Sequence, residues 1–153
     1  MAPPIEVGAI GHGTLRVIPI LGGSCVARDW SARVLPGAAD FQLIVNERME
    51  RLEARYVLET EGGDRIYVQN DAVRTAAPEV MARLVRGEPV DPALVYFRCV
   101  PRFETAAPAL AWMMARAVAR MGVKQASRWR LPEKQISAFQ LLRRSLYAIL
   151  LVS

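Results

Sequence analysis

Residues 51–71, RLEARYVLETEGGDRIYVQND, constrain the fold more than any other part of the chain. Two runs rich in strand formers flank Gly62-Gly63, and paired glycines at such a place signal a tight hairpin. Read as a two-residue loop, the glycines set Thr60 opposite Arg65, Leu58 opposite Tyr67 and Tyr56 opposite Gln69. The other surface then pairs Glu59 with Ile66, Val57 with Val68 and Arg55 with Asn70. Neither surface is purely apolar, although a half-buried antiparallel sheet needs one that is. A barrel suits these strands better, because its interior holds side chains or one small ligand. The face bearing Arg55, Val57, Val68 and Asn70 is expected to line that interior.

Strand composition recurs at 14–20, 29–35, 40–46 and 93–105, with Gly or Pro between the runs. Pro101 removes a ladder donor and predicts a bulge in the last of these. Behind Pro78 the run EVMARLVRG reads as a helix, with Glu79 and Arg83 spaced to pair and Gly87 suited to a left-handed stop. A second helix is expected over 108–122, where Leu110, Met113, Met114, Ala117, Val118 and Met121 share a stripe. Residues 133–142 and 145–153 are further strand candidates. Six to eight strands with two helices predict a mainly β protein. The expected architecture is a single antiparallel closed or nearly closed β-barrel with one or two covering helices, in one domain over residues 1–153.

Charge is unevenly distributed. Residues 1–113 carry 12 Arg/Lys against 14 Asp/Glu, whereas residues 114–153 carry 8 against Glu133 alone, within an overall net charge of +5. Trp129 lies between Arg128 and Arg130, an arrangement suited to stacking and phosphate contact. Binding of nucleic acid or an anionic surface through residues 116–144 is therefore an alternative function, though aromatic residues are few and a nucleic-acid partner is the weaker expectation. Cys25 and Cys99 have no C-x-x-C partner and read as buried free thiols. His12 is the sole histidine, which excludes a histidine-rich metal site. No nucleophile elbow and no phosphate loop occur, so neither metal nor cofactor is expected. No apolar run approaches the roughly 20 residues that span a bilayer, and the first residues lack a secretory pattern. A cytoplasmic protein is the expectation.

The segments RVIPILGG, RVLPGAADFQL, LEARYVLETEGGDRIYVQN and VRGEPVDPALVYFRCVPRFETAAPALAW occur in this order. Together they resemble the small barrel proteins of domain-of-unknown-function family 3237, over about residues 11–112. The resemblance implies a barrel, similar in outline to lipocalins, with a helical cover and a pocket at one end. It places recurring polar residues at Asp40, Arg55, Tyr56, Asn70, Tyr96, Arg98 and Glu104. Asp40 and Glu104 are the candidate catalytic residues, because a desolvated carboxyl can act as acid or base near neutral pH. Arg55, Tyr56, Asn70, Tyr96 and Arg98 are the candidate binding residues, with Arg98 suited to an oxyanion and the tyrosines to apolar walls. The competing reading is that Arg98–Glu104 and Arg55–Asp40 are ion pairs that merely satisfy each other.

A small polar or aromatic ligand in the barrel is the leading functional expectation, with cofactor-free lyase, isomerase or cyclase chemistry as its extension. A structural or oligomerising barrel filled by its own side chains is the other alternative, and homo-oligomerisation stays open. The resemblance also implies a strand before the GHG turn at 11–13 that this chain is expected to lack. Leu146–Val152, after a turn at Arg143-Arg144, would then fill the slot as a substitute strand and make 143–153 an atypical extension.

Overall fold

Period-2 alternation decides which side of each strand is buried. In Gly13–Ile20 the phase Arg16, Ile18, Ile20 is buried, while Leu15 and Val17 stay partly exposed. In Met49–Thr60 the buried phase is Glu50, Leu52, Ala54 and Leu58, with charged residues at 51, 53 and 55 turned outward. The computed structural model describes residues 3–26 and 30–115, with the backbone of 121–122.

The strands are β1 (Ile5–Ile10), β2 (Gly13–Ile20), β3 (Ser24–Val26), β4 (Ser31–Val34) and β5 (Ala38–Asn46). They continue with β6 (Met49–Thr60), β7 (Arg65–Thr75), β8 (Tyr96–Thr105) and β9 (Met121–Gly122). Helix α1 (Pro78–Val85) lies between β7 and β8. One antiparallel sheet runs β1-β2-β5-β6-β7-β8-β9. The same edge of β6 is covered twice: β5 pairs residues 49–55 and β4 pairs 58–60. No ladder joins β1 to β8 or β9 among the described residues, so the mainly β sheet is curled into a nearly closed barrel.

The hairpin exists, but its register differs by one residue from the two-glycine reading. Leu58 pairs with Ile66, Tyr56 with Val68 and Ala54 with Asn70. The loop has three residues: Gly63 N–H donates to Thr60 O at 3.0 Å, and Thr60 N–H donates to Asp64 O at 2.9 Å. Gly63 takes φ of 85°, the left-handed position that closes a type I turn with a bulge. A one-residue slip changes which residues share a face. Val68 and Asn70 therefore point inward with Ala54, Tyr56 and Leu58, whereas Arg55 and Val57 belong to the outer surface.

Three further expectations are corrected. A strand does precede the GHG turn: β1 pairs with β2 from Ile5↔Val17 to Ile10↔Gly13. The premise for a substitute strand is thereby removed, and Leu146–Val152 lies outside the described residues. The β7–β8 register runs unshifted through Asn70↔Pro101, so Pro101 makes no bulge there. Pro101 also lies beyond the described β8–β9 ladder, which engages only Arg98 and Cys99, and a proline is tolerated where no ladder donor is required of it. Residues 108–122 are not one helix; Pro108–Met113 is a 3₁₀ turn, and Met121–Gly122 pairs with β8.

Helix α1 matches its expected span, and Gly87 follows it with φ of 73°. Arg83 does not pair with Glu79 but reaches forward to Glu88 at 3.4 Å. Apolar packing gathers in four clusters, two of them small: Leu52 with Phe97 and Cys99, and Ile20 with Ala38 and Ala54. Cys25, Leu58, Ile66, Val68 and Phe103 pack with Leu110 and Met113 of the 3₁₀ turn. Val80, Met81 and Leu84 of α1 pack with Val95. Among these clusters the interior also encloses Arg16, Asp40, Gln42, Glu50 and Arg74.

Candidate functional site

Paired residues on neighbouring strands form rows across the inner face. One row reads Arg16, Gln42, Leu52, Ala72 and Cys99 from β2 to β8. The next reads Ile18, Asp40, Ala54, Asn70 and Pro101. On the other side of the first row, Glu50 pairs with Arg74. The inward phase of four strands thus brings two arginines, two carboxylates and two amides together. None of this would survive desolvation without internal partners.

Arg16, Asp40, Gln42, Glu50 and Arg74 are all at most 4% exposed. Arg16 donates from Nε at 3.0 Å and from Nη2 at 2.7 Å to Gln42 Oε1. Its Nη1 donates to Val85 O at 2.7 Å, which ties the C-terminal end of α1 to the sheet. Gln42 Nε2 donates to Asp40 Oδ2 at 2.6 Å. Arg74 donates from Nε at 2.8 Å, and again from Nη2, to Glu50 Oε2. Glu50 Oε1 lies 4.0 Å from Arg16 Nη2, beyond hydrogen-bond reach.

Three buried oxygens have no hydrogen-bond partner among the described residues: Asp40 Oδ1, Glu50 Oε1 and Asn70 Oδ1. Asp40 and Asn70 flank Ala54, one strand to each side. Strand spacing puts their backbones about 10 Å apart, with only a methyl group rising between them. Asn70 and Ala72 face inward and are partly buried, as is Tyr56, while Asp40, Ala54 and the Oδ1 atoms of Asp40 and Asn70 are fully enclosed.

Burial pushes the Asp40 carboxyl above the ordinary carboxylate range. The bond from Gln42 and the nearby charges of Arg74 and Arg16 oppose the shift, and Glu50 adds to it. Desolvation lowers Arg16, with Glu50 opposing. Burial raises the Tyr56 phenol, and the neighbouring Cys25 and Cys99 add to that. The Cys25 thiol is pushed up to about 11 by burial, and both cysteines are free. Cys99 is also raised by burial, with a hydrogen bond from Asn70 opposing.

The seven positions suggested by the resemblance are divided by the fold. Asp40, Tyr56 and Asn70 reach the interior. Arg55 is on the outer surface, 3.8 Å from Glu53. Arg98 also faces outward, 4.4 Å over the Tyr96 ring and donating to Phe97 O at 2.8 Å. Glu104 is exposed opposite Tyr67. The alternative pairs Arg98–Glu104 and Arg55–Asp40 are not formed. The segment 116–144 proposed for anion binding lies outside the described residues apart from the backbone of Met121–Gly122. Among the described residues no cluster of His, Cys, Asp and Glu could hold a metal ion, and no helix is long and apolar enough to cross a membrane.

Sequence reasoning missed Arg16, Gln42, Glu50 and Arg74. The available signal was phase: Arg16 alternates with Ile18 and Ile20, and Glu50 with Leu52 and Ala54. A charged residue on the apolar phase of a strand either ends the buried face or has a partner inside.

These features define a small β protein of one curled antiparallel sheet around a charged, hydrogen-bonded interior. The chain belongs to the family described as protein of unknown function (DUF3237), whose model matches residues 1–130. A UPF0311 protein of Rhodopseudomonas palustris is 47% identical over 109 residues, 71% of each chain. A UPF0311 protein of Clostridium acetobutylicum is 37% identical over 102 residues, covering 67% of this chain and 65% of the relative. The crystal structure of a conserved Rhodopseudomonas palustris protein of unknown function superposes with a TM-score of 0.71 at 45% identity, covering 74% of this chain and 75% of the other. A protein of Acinetobacter baumannii described as beta-barrel like matches with a TM-score of 0.62 at 34% identity, covering 74% and 73%.

Proposed function

We infer that the inner face between β5 and β7 binds a small organic molecule carrying hydrogen-bond donors, such as a hydroxyl, phenol or amine. The observation that supports this is the pair of unpartnered buried oxygens, Asp40 Oδ1 and Asn70 Oδ1, on either side of Ala54. A buried acceptor without a donor costs about 1–3 kcal/mol, and a ligand that supplies donors to both recovers that cost. Tyr56 and the methyl groups of Ala54 and Ala72 offer apolar contact beside them. Asp40, held above the usual carboxylate range by burial, is suited to take a proton from such a ligand and return it. Cofactor-free isomerase, lyase or cyclase chemistry is the catalytic extension of this reading.

Thermal-shift screening against small phenols, hydroxy acids, lactones and amines tests the binding. A ligand at about 100 times its Kd stabilises the folded state by roughly 2.7 kcal/mol. The shift is expected to shrink in Asn70→Ala and to vanish in Asp40→Asn. A ligand that shifts all three proteins equally would refute the assignment.

A further inference from the structure

Resting on the reading that Asp40 meets the ligand, we propose that Gln42, clamped by Arg16, is a positioning residue that directs the exchangeable proton of Asp40 onto Oδ1. Arg16 fixes the orientation of the Gln42 amide. A guanidinium has only donors, so the Gln42 atom facing its Nε and Nη2 at 3.0 and 2.7 Å is the amide oxygen. The amide nitrogen is thereby turned toward Asp40, where it donates to Oδ2 at 2.6 Å. Reversing the amide would set an NH2 against a guanidinium and remove a donor from a carboxylate, two losses in a buried site.

Oδ2 therefore accepts from Gln42 whether Asp40 is charged or neutral. A proton taken up by the carboxyl goes to Oδ1, the oxygen without a partner among the described residues. This is the oxygen assigned to the ligand. A donor X–H on a bound molecule gives its proton to Oδ1 and keeps the bonding pair. Returning the proton to a different atom of the same molecule restores the carboxylate and leaves an isomer, with no co-reactant consumed. The ligand class implied is one with an acidic O–H, N–H or activated C–H and a second site able to receive the proton.

The clamp also extends to α1. Arg16 Nη1 is held by Val85 O at 2.7 Å, so the guanidinium that orients Gln42 is itself fixed by the end of the helix. Other charged and polar groups facing Asp40 are Arg16 from β2, Glu50 from β6, and Arg74 and Asn70 from β7. Among the described residues only Gln42 donates to it directly.

NMR of the ligand-free full chain with aspartate carboxyl carbons labelled tests the proposal. In the native protein the Gln42 side-chain amide signals are expected to move with the same midpoint as the Asp40 carboxyl carbon. In Gln42→Met the charged form of Asp40 loses its donor, so proton affinity is expected to rise about tenfold or more, moving the midpoint up by about one pH unit. A Gln42 amide indifferent to the Asp40 titration, or a midpoint unchanged or lowered in Gln42→Met, would overturn it. The native measurement decides the matter even if Gln42→Met fails to fold. Neither readout uses a ligand, so an unoccupied binding screen would sink the proposed function while leaving these results to stand or fall alone.

Discussion

Asp40→Asn is expected to stabilise the protein at neutral pH. Asp40 is fully buried, with Oδ2 held by Gln42 and Oδ1 unpartnered among the described residues. Asparagine has nearly the same shape, keeps an oxygen for Gln42, and places an uncharged NH2 where Oδ1 stands. The substitution removes a charge that burial disfavours, while the NH2 inherits a place without a hydrogen-bond partner among the described residues. Because the folded carboxyl is raised above its unfolded value, the native state holds its proton more tightly than the unfolded chain does. The stability contributed by that proton is complete below the unfolded midpoint of about 3.9, and it is lost as pH rises through the folded midpoint. Over that window the native protein loses up to about 1.4 kcal/mol per pH unit, whereas Asp40→Asn has no such group. Urea denaturation at intervals from pH 4 to pH 8 should give two stability curves that nearly meet at the acid end and diverge upward. The variant is expected to be the more stable of the two at pH 7, by about 1.4 kcal/mol for each pH unit that separates the folded and unfolded midpoints of Asp40. A less stable variant at pH 7, or a difference that does not change with pH, would refute the account of Asp40 as a destabilised carboxyl. The same variant, folded and firmer than the parent, is then a clean control for lost binding.

The Glu50–Arg74 pair should behave in the opposite way. Arg74→Met leaves Glu50 buried and uncompensated, and about 3–5 kcal/mol of stability should be lost; Glu50→Gln combined with Arg74→Met should recover most of it. Chemical denaturation of the four proteins in the cycle measures this, and additive losses would contradict the pairing. Gly13→Ala should abolish cooperative folding, because φ is 145° and a Cβ there would sit 2.2 Å from the Ile44 carbonyl oxygen. Gly62→Ala, whose Cβ would meet only Thr60 Oγ1 at 3.7 Å, should leave the melting temperature nearly unchanged. Met113→Ala, emptying a fully buried position of the apolar cluster, should cost about 2–5 kcal/mol in urea denaturation.

The strands were legible because they are written by alternation and punctuated by glycine and proline, both of which act locally. The helix behind Pro78 was legible for the same reason. The register of the β6–β7 hairpin was not. Gly62-Gly63 fits a two-residue loop as well as a three-residue loop with Gly63 left-handed, and the choice depends on how Leu58 and Ile66 pack into the apolar cluster. That choice decides which of Arg55 and Tyr56 faces inward, so a one-residue ambiguity in a turn became an ambiguity in the candidate site. The bulge expected at Pro101 failed on a similar point, since a proline disturbs a ladder only where its nitrogen must donate.

The polar interior was hidden for a deeper reason. Arg16, Gln42, Asp40, Glu50 and Arg74 come from β2, β5, β6 and β7, and each taken singly looks like a surface residue. Burial of any one would be prohibitive; burial of all five is tolerated because each meets at least one of the others. Such a cluster is a property of register across four strands rather than of any segment. The resemblance to a family supplied Asp40 and Asn70 without saying what held them. The fold supplies part of that answer: Arg16 orients Gln42, Gln42 occupies one oxygen of Asp40, and Ala54 stands between Asp40 and Asn70. Replacing Ala54 by leucine therefore tests where the ligand lies while leaving the Asp40 and Asn70 oxygens in place. The added side chain would rise between Asp40 and Asn70 from a buried position packed with Ile20 and Ala38, so about 1–3 kcal/mol of overpacking is expected with it. Ligand-induced thermal shifts should disappear while the Gln42 amide still follows the Asp40 titration. Retained ligand shifts in a folded Ala54→Leu protein would place the ligand elsewhere.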